Sequence, residues 1–393
     1  MELSPRVNGL PSEPAIRTFL RARELEASGR NVVHLEIGEP DLPTPAHICE
    51  AAKISLDRGL THYCDSQGVL ELREAIAEKV ASMRGVSVDP GTIVITPGLR
   101  PILFYGALLA LGEGDEGIYF DPAFAAFPSV INFAGGRAVP VPLRAENGFR
   151  LDVNELRAAI TPRTRLLTLN WPHNPTGAVL RSEDYSAIAD IVEEHDLLVV
   201  SDETYEEIYY GDMPPSAIQF PGLRERTIVM SGFSKTYCMT GWRLGYAILP
   251  PALVDPFVRL TANSVTCTAT FVQHAAVAAI RGSQDCVASM VEEFRRRRDL
   301  LVSGLNAIPG MECHSPEGAF YAFPRVSRLG IDDMELADRL LDEAGVATLG
   351  GSVFGEQGRG HLRLAYTTSY EAIEQALVRI GAFVRNLKTA PLG

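Results

Sequence analysis

With 393 residues, the chain exceeds the usual length of a single domain, and two or three domains' worth of core are expected. Hydrophobic residues make up 46% and charged residues 22%, a balance too apolar for a disordered chain. The 49 acidic side chains outnumber 36 basic ones, and a net charge of −13 repels phosphates, which argues against a nucleic-acid partner.

In chain order, the first 30 residues mix Arg17, Arg21 and Arg23 with acids and hold no apolar core of a signal peptide. No run of about 18 apolar residues follows, so a cytoplasmic protein without a membrane partner is expected. Short β-branched runs then appear at 92–95, 117–120, 165–169, 197–200, 227–230 and 246–249, with helical patterns such as 101–111 and 183–195 between them. That alternation predicts βαβ units and an α/β core, a mainly parallel sheet covered on both faces. Open sheets of this kind bind ligands beyond the carboxyl ends of their strands, so the loops there are where chemistry is expected.

From about Asp285 the texture changes to a helical stretch, the run 318–323, a further helix and a strand-like segment at 361–366. The expected division is a large domain over 45–285 and a smaller α+β domain built from 1–44 and 286–393. The four arginines at 295–298 follow Glu292 and Glu293 and read as a solvated helix face. Glycines at 351, 355, 358 and 360 lack the preceding strand of a dinucleotide fingerprint and read as a flexible loop facing the active site. The six cysteines contain no CxxC pair, so reduced thiols are expected, with neither a disulfide framework nor a cysteine zinc site.

Three strand ends carry polar residues that make sense together. Run 165–169 leads to Asn174, run 197–200 to Asp202 and Tyr205, and run 227–230 to Ser234 and Lys235, followed by Arg243. The separations from Asn174 to Asp202 and on to Lys235 are 28 and 33 residues, each about one crossover unit, which lines these residues along one edge. A lysine desolvated beside a cation such as Arg243 becomes an amine nucleophile toward an aldehyde. A carboxylate such as Asp202 keeps a pyridine nitrogen protonated, and the protonated ring is an electron sink for a carbanion. Asn174 and Tyr205 suit a ring hydroxyl. Thr96-Pro97-Gly98-Leu99-Arg100, between a strand and a helix, offers backbone amides to a phosphate.

Taken with Ile37-Gly38-Glu39-Pro40-Asp41, Tyr63, Asp121-Pro122-Ala123-Phe124, Asn174-Pro175-Thr176-Gly177, Thr240-Gly241-Trp242-Arg243 and Arg363, this ordered set resembles the aspartate-aminotransferase family of fold-type I pyridoxal-phosphate enzymes over nearly the whole chain. The resemblance implies pyridoxal 5'-phosphate as cofactor, Lys235 as its Schiff-base partner and proton shuttle, and Asp202 at the pyridine nitrogen. It implies Asn174 and Tyr205 at the ring hydroxyl and Phe124 stacked on the ring. Gly98, Leu99, Arg100, Ser234 and Arg243 would surround the phosphate, with Tyr63 reaching the phosphate of a neighbouring subunit in a homodimer. Arg363 would grip the substrate α-carboxylate as a two-pronged ion pair, with Gly38 closing over the substrate, which Phe124 and Asn174 also touch. The implied reaction moves an amino group between an L-amino acid and a 2-oxo acid in a ping-pong cycle; the alternative is elimination, cyclisation or oxidation of an amino acid on the same cofactor. The sequence departs from the family where Leu99-Arg100 replace small or hydroxyl residues, and Arg100 is expected at the phosphate or at the far end of the substrate.

Overall fold

The computed structural model describes Val7, Leu10 and residues 14–387, so the outermost parts of the expected smaller domain lie outside the described residues. After a helix, Pro14–Ala27, comes the two-residue strand β1 (Val33–His34). Seven strands follow: β2 (Ile93–Thr96), β3 (Glu116–Asp121), β4 (Arg137–Pro142), β5 (Thr164–Asn170), β6 (Leu198–Asp202), β7 (Thr227–Gly232) and β8 (Gly245–Ile248). They form one sheet in the order β2-β8-β7-β6-β5-β3-β4.

The pairs β3–β4, β3–β5, β5–β6 and β6–β7 are parallel, whereas β8 runs antiparallel to both β7 and β2. All six expected strands are present, and β4 is one that periodicity did not reveal. Its sequence, RAVPVP, contains Pro140 and Pro142, and it occupies the edge of the sheet, where a missing backbone N–H is tolerated.

Successive residues of the central strands serve opposite faces. Leu166, Val200 and Ile228 pack with Ile102, Leu103 and Ala107 of the helix Arg100–Ala110. Their neighbours Leu167, Val199 and Val229 pack with Ile188, Ile191 and Val192 of the helix Ser182–Glu194. Both faces are thus covered, as a two-residue side-chain period and continuous apolar runs require. The register sets Asn170 against Asp202 and Asp202 against Met230, so these strands stop level with one another.

The C-terminal part builds a second core around the 22-residue helix Asp285–Asn306. The strands β9 (Tyr321–Ala322), β10 (Val346–Ala347), β11 (Leu349–Gly350) and β12 (Leu362–Ala365) follow, with the helix Asp333–Arg339 and, last, the helix Tyr370–Leu387. β11, β12 and β9 form an antiparallel sheet, and β1 pairs in parallel with β10. Val33 and Leu35 enter the same apolar cluster as Phe294, Phe320, Leu364 and Ile380, which joins the N-terminal segment to this unit.

The arginine run does not form a single solvated face. Arg297 is buried and bonds Asp41 at 2.8 Å and Glu293 at 3.0 Å, while the Arg298 guanidinium lies 4.5 Å from the Tyr210 ring centre. Four consecutive residues sweep about 300° around a helix, so they cannot share one side.

Candidate active site

Loops beyond β2, β3, β5, β6 and β7 meet segments from both ends of the chain around a cavity of about 380 Å³. Of the residues expected at a site, Gly38, Leu99, Arg100, Phe124, Asn174, Asp202, Tyr205, Ser234, Lys235, Arg243 and Arg363 line it. Gly98 sits behind the lining at φ +82°, where a Cβ would run into the Arg243 guanidinium. Its missing side chain lets that cation approach the backbone amides that open the helix Arg100–Ala110. Tyr63 is elsewhere, on the surface and 86% exposed.

Lys235 lies on the short helix Phe233–Thr236 that starts where β7 ends, and its Nζ donates to the Gly38 carbonyl at 2.6 Å. Burial lowers its pKa to about 8; Glu39 opposes the shift, and Arg363 and then Arg243 reinforce it. The more strongly acting cation is therefore Arg363, 128 residues further along the chain, rather than Arg243 eight residues away. Asp202 ends β6 and accepts from the Thr204 amide at 3.1 Å. Burial raises its carboxyl to about 7, with Arg100 and Lys235 among the groups pulling it back down.

Around this amine and carboxyl the remaining groups are held from outside. The Tyr205 hydroxyl bonds that of Tyr321 at 2.8 Å, and the Tyr321 ring lies 4.7 Å from the Arg363 guanidinium. Arg363 also donates to the Glu36 carbonyl and stands 5.2 Å from the Phe354 ring. Arg100 covers the Phe124 ring at 4.7 Å. Asn174 is buried, and its Oδ1 has no hydrogen-bond partner, an acceptor whose desolvation is left uncompensated. His173, which neighbours it, stacks on Trp171, bonds Thr176 at 2.7 Å and is pushed down to about 3 by burial, so it serves packing and stays neutral.

The glycine-rich loop faces the cavity through Val353 and Phe354, and it is pinned. Asp333 accepts from the amides of Ser352 at 2.7 Å and Gly360 at 3.0 Å, and Asp121 from those of Glu356 at 3.0 Å and Gln357 at 3.2 Å. Glycine freedom here is used for close approach and not for motion.

The cavity thus brings together a depressed lysine amine, a buried carboxyl and several guanidinium groups. The family described as aminotransferase class I and II matches residues 30–380. The chain belongs to the class I and II aminotransferases. It is 42% identical over 392 residues to aromatic-amino-acid aminotransferase 2 of Thermococcus litoralis, covering 99% of this chain and 100% of that protein. It is equally identical, 42% over 369 residues, to an aspartate aminotransferase of Pyrococcus abyssi, covering 93% and 95% of the two chains. The solved structure of aspartate aminotransferase from Thermus thermophilus with maleate superposes with a TM-score of 0.93 at 39% identity, over 97% of this chain and 99% of that one. This aminotransferase therefore has the fold-type I architecture, and it is an enzyme of amino-group transfer.

Sequence reasoning left several contributors to the aminotransferase's site unassigned, among them four residues. Tyr321 lay in the run 318–323, to which no role was given, Phe354 in a loop read as flexible and facing the active site but with no residue of it singled out, and Ala15 and Ile16 on the N-terminal helix also line the cavity. None carries a charge or a local motif, so only the assembled fold reveals them.

Proposed function

We propose that this aminotransferase uses pyridoxal 5'-phosphate, held by the residues just described, to move an amino group between an L-amino acid and a 2-oxo acid. The observation that carries the reading is Lys235: an amine brought to about 8, beside Asp202 and flanked by Arg243 and Arg363. The donor set fits the cofactor. The Gly98–Arg100 backbone, Ser234 and Arg243 would suit its phosphate, the unpaired Oδ1 of Asn174 and the Tyr205 hydroxyl would suit its ring hydroxyl, and Asp202 would suit a ring nitrogen. When bound, the cofactor supplies an aldehyde for amino groups and a protonated ring that draws electrons from the substrate α-carbon.

Within that arrangement Lys235 moves the α-proton, since an amine near neutrality both accepts and returns it. Asp202 holds the ring-nitrogen proton. Arg363 grips the α-carboxylate with its planar fork, and the Tyr321 ring stacked against it fixes the plane of that fork. Gly38 lends its carbonyl to Lys235 until substrate arrives. The smaller unit, 1–44 with 286–393, brings its Gly38 and Arg363 over the Lys235 and Asp202 of the large domain.

For the side chain, Ile16, Leu103, Phe104, Phe124, Ala126 and Val130 make an apolar wall that favours large apolar or aromatic substrates. Arg100 on that wall supports a second reading, acceptance of dicarboxylic substrates, and the named relatives include both an aromatic and an aspartate aminotransferase. A panel of amino donors with 2-oxoglutarate decides between them.

The cofactor reading is tested by borohydride reduction of the cofactor-loaded enzyme followed by peptide mapping. Label on the Lys235 peptide, absent in Lys235→Ala, is expected; label elsewhere or none refutes it. We also propose a homodimer, supported by Tyr63 and by the exposed apolar side chains Ile54, Leu56 and Leu70 in the same stretch of chain. A monomer with full activity at low protein concentration would refute that.

A further inference from the structure

The loop from Gly351 to Gly360 is fastened twice. At its base, Asp333 of the C-terminal unit bonds Ser352 through both its amide and, at 2.8 Å, its hydroxyl, and bonds the Gly360 amide. Those contacts fix the loop within its own unit. At its tip, the partners belong to the large sheet. Asp121, the last residue of β3, is buried, and each of its carboxylate oxygens accepts one backbone amide, from Glu356 and from Gln357. Two residues on, the Ala123 amide donates to the Phe354 carbonyl at 2.7 Å.

The backbone is shaped for this contact. Gly355 has φ +126°, and a Cβ there would enter the Asp121 carboxyl, 2.6 Å from its Cγ. Gly351 and Gly358 are packed back to back, each without room for a Cβ against the other's carbonyl. A side chain at Gly355 would force the tip away from β3, and one at Gly351 or Gly358 would push the two arms of the loop apart.

Between the two fastenings lies Phe354, whose ring lies 5.2 Å from the Arg363 guanidinium and lines the cavity. A carboxylate buried with two amides and, among the described residues, no ion-pair partner carries a desolvation cost that a neutral residue would avoid, and burial accordingly pushes the Asp121 carboxyl up while the two amides pull it back. What it secures is a seam where the loop carrying Phe124 meets the loop carrying Phe354.

We infer that Asp121 is a positioning residue for substrate recognition, latching the 351–358 loop to the large sheet so that Phe354 holds Arg363 in line with the substrate α-carboxylate. The inference rests on the proposed role of Arg363 as the carboxylate grip. The side chain of Asp121 touches neither substrate nor cofactor in this scheme; it acts through the loop.

The test uses the cofactor-loaded enzyme and compares Asp121→Asn, Gly355→Ala, their double variant and Arg363→Lys. Asparagine keeps the shape but turns an NH2 group toward an amide donor, so one of the two bonds is lost. Expected for Asp121→Asn and Gly355→Ala is a rise of about tenfold in KM for the amino donor, with kcat within about twofold and no change in cofactor affinity. The double variant should be no worse than the more severe single one, because both break the same latch. A lowered Tm with KM unchanged would show that Asp121 merely stabilises the fold, and would overturn the inference. If Arg363→Lys raises KM while both latch variants leave it unchanged, the latch fails and the carboxylate reading stands; if Arg363→Lys leaves KM unchanged, both fall. Should Asp121→Asn and Gly355→Ala not yield folded enzyme, Phe354→Leu reads the same KM with the amide bonds intact, and an unchanged KM there overturns the inference.

Discussion

Gly38→Ala adds a single methyl group, and the structure allows its cost to be worked out. Gly38 is not among the glycines with positive φ, so alanine can adopt the backbone and the consequence is purely steric. The new Cβ would lie 2.7 Å from Cζ and 2.8 Å from Cε1 of Tyr321, whereas carbon atoms rest at about 3.5–4.0 Å. Tyr321 cannot swing aside cheaply: it is buried, with Phe320 at 4.9 Å, Tyr205 at 5.7 Å and the Arg363 guanidinium at 4.7 Å. A shift of about 1 Å must therefore break either the Tyr205–Tyr321 hydrogen bond or the 2.6 Å bond from Lys235 to the Gly38 carbonyl. Overpacking costs about 1–3 kcal/mol and the lost hydrogen bond about 1 kcal/mol, together about 2–4 kcal/mol. If that cost falls on the transition state, kcat/KM drops roughly 30-fold or more. Single-turnover reaction of the loaded enzyme with an amino donor measures it, alongside thermal unfolding. A kcat/KM within threefold of wild type, with unchanged Tm, would mean that Tyr321 moves freely and that the chain of contacts from Gly38 to Arg363 does not hold the site.

Asp202→Asn should lower kcat by about 3 kcal/mol in transition-state terms, because a preorganised charge partner is removed; near-normal kcat would misplace the electron sink. The same variant bears on stability. In the cofactor-free protein the Asp202 carboxyl is raised to about 7, above its unfolded value, so its contribution is present at low pH and lost as pH rises toward 7. Asp202→Asn should flatten that part of the Tm–pH curve, and an unchanged curve would contradict the assignment. For Lys235, lowered to about 8, the neutral amine grows as pH rises through 8, so the rate of covalent capture of pyridoxal phosphate should climb across that range and level off above it. A rate that keeps climbing about tenfold per pH unit beyond about pH 9, as an ordinary lysine amine of about 10.4 would give, would refute the depressed amine.

Much of this was legible in the sequence because the informative residues follow strands. Asn174, Asp202 and Lys235 recur at crossover spacing, and the observed register of Asn170 with Asp202 is what that spacing implies. The direction of β8 was not legible, since its apolar run serves either orientation equally well. β4 was hidden by its prolines, and Arg297 by a run of like charges whose members point to different sides of the helix. Tyr321 and Phe354 escaped for a different reason: their importance comes from what they touch across the fold, and an uncharged aromatic in an apolar run or a glycine-rich loop carries no local sign of it. The stronger electrostatic neighbour of Lys235 was likewise distant in sequence, because fields depend on separation in space.

The hydrogen bonds that complete the substrate side span 197 residues from Lys235 to Gly38 and 327 residues from Arg363 to Glu36. The groups that would hold the cofactor, by contrast, lie between Gly98 and Arg243, within one stretch of chain. A chain emerging from the ribosome can therefore assemble its cofactor cradle while β12 has yet to be made, but its substrate grip closes only after the last strand has returned to the first. Assembly of the two halves of the chemistry is thereby ordered in time, and amino-group transfer becomes a property of the finished chain alone.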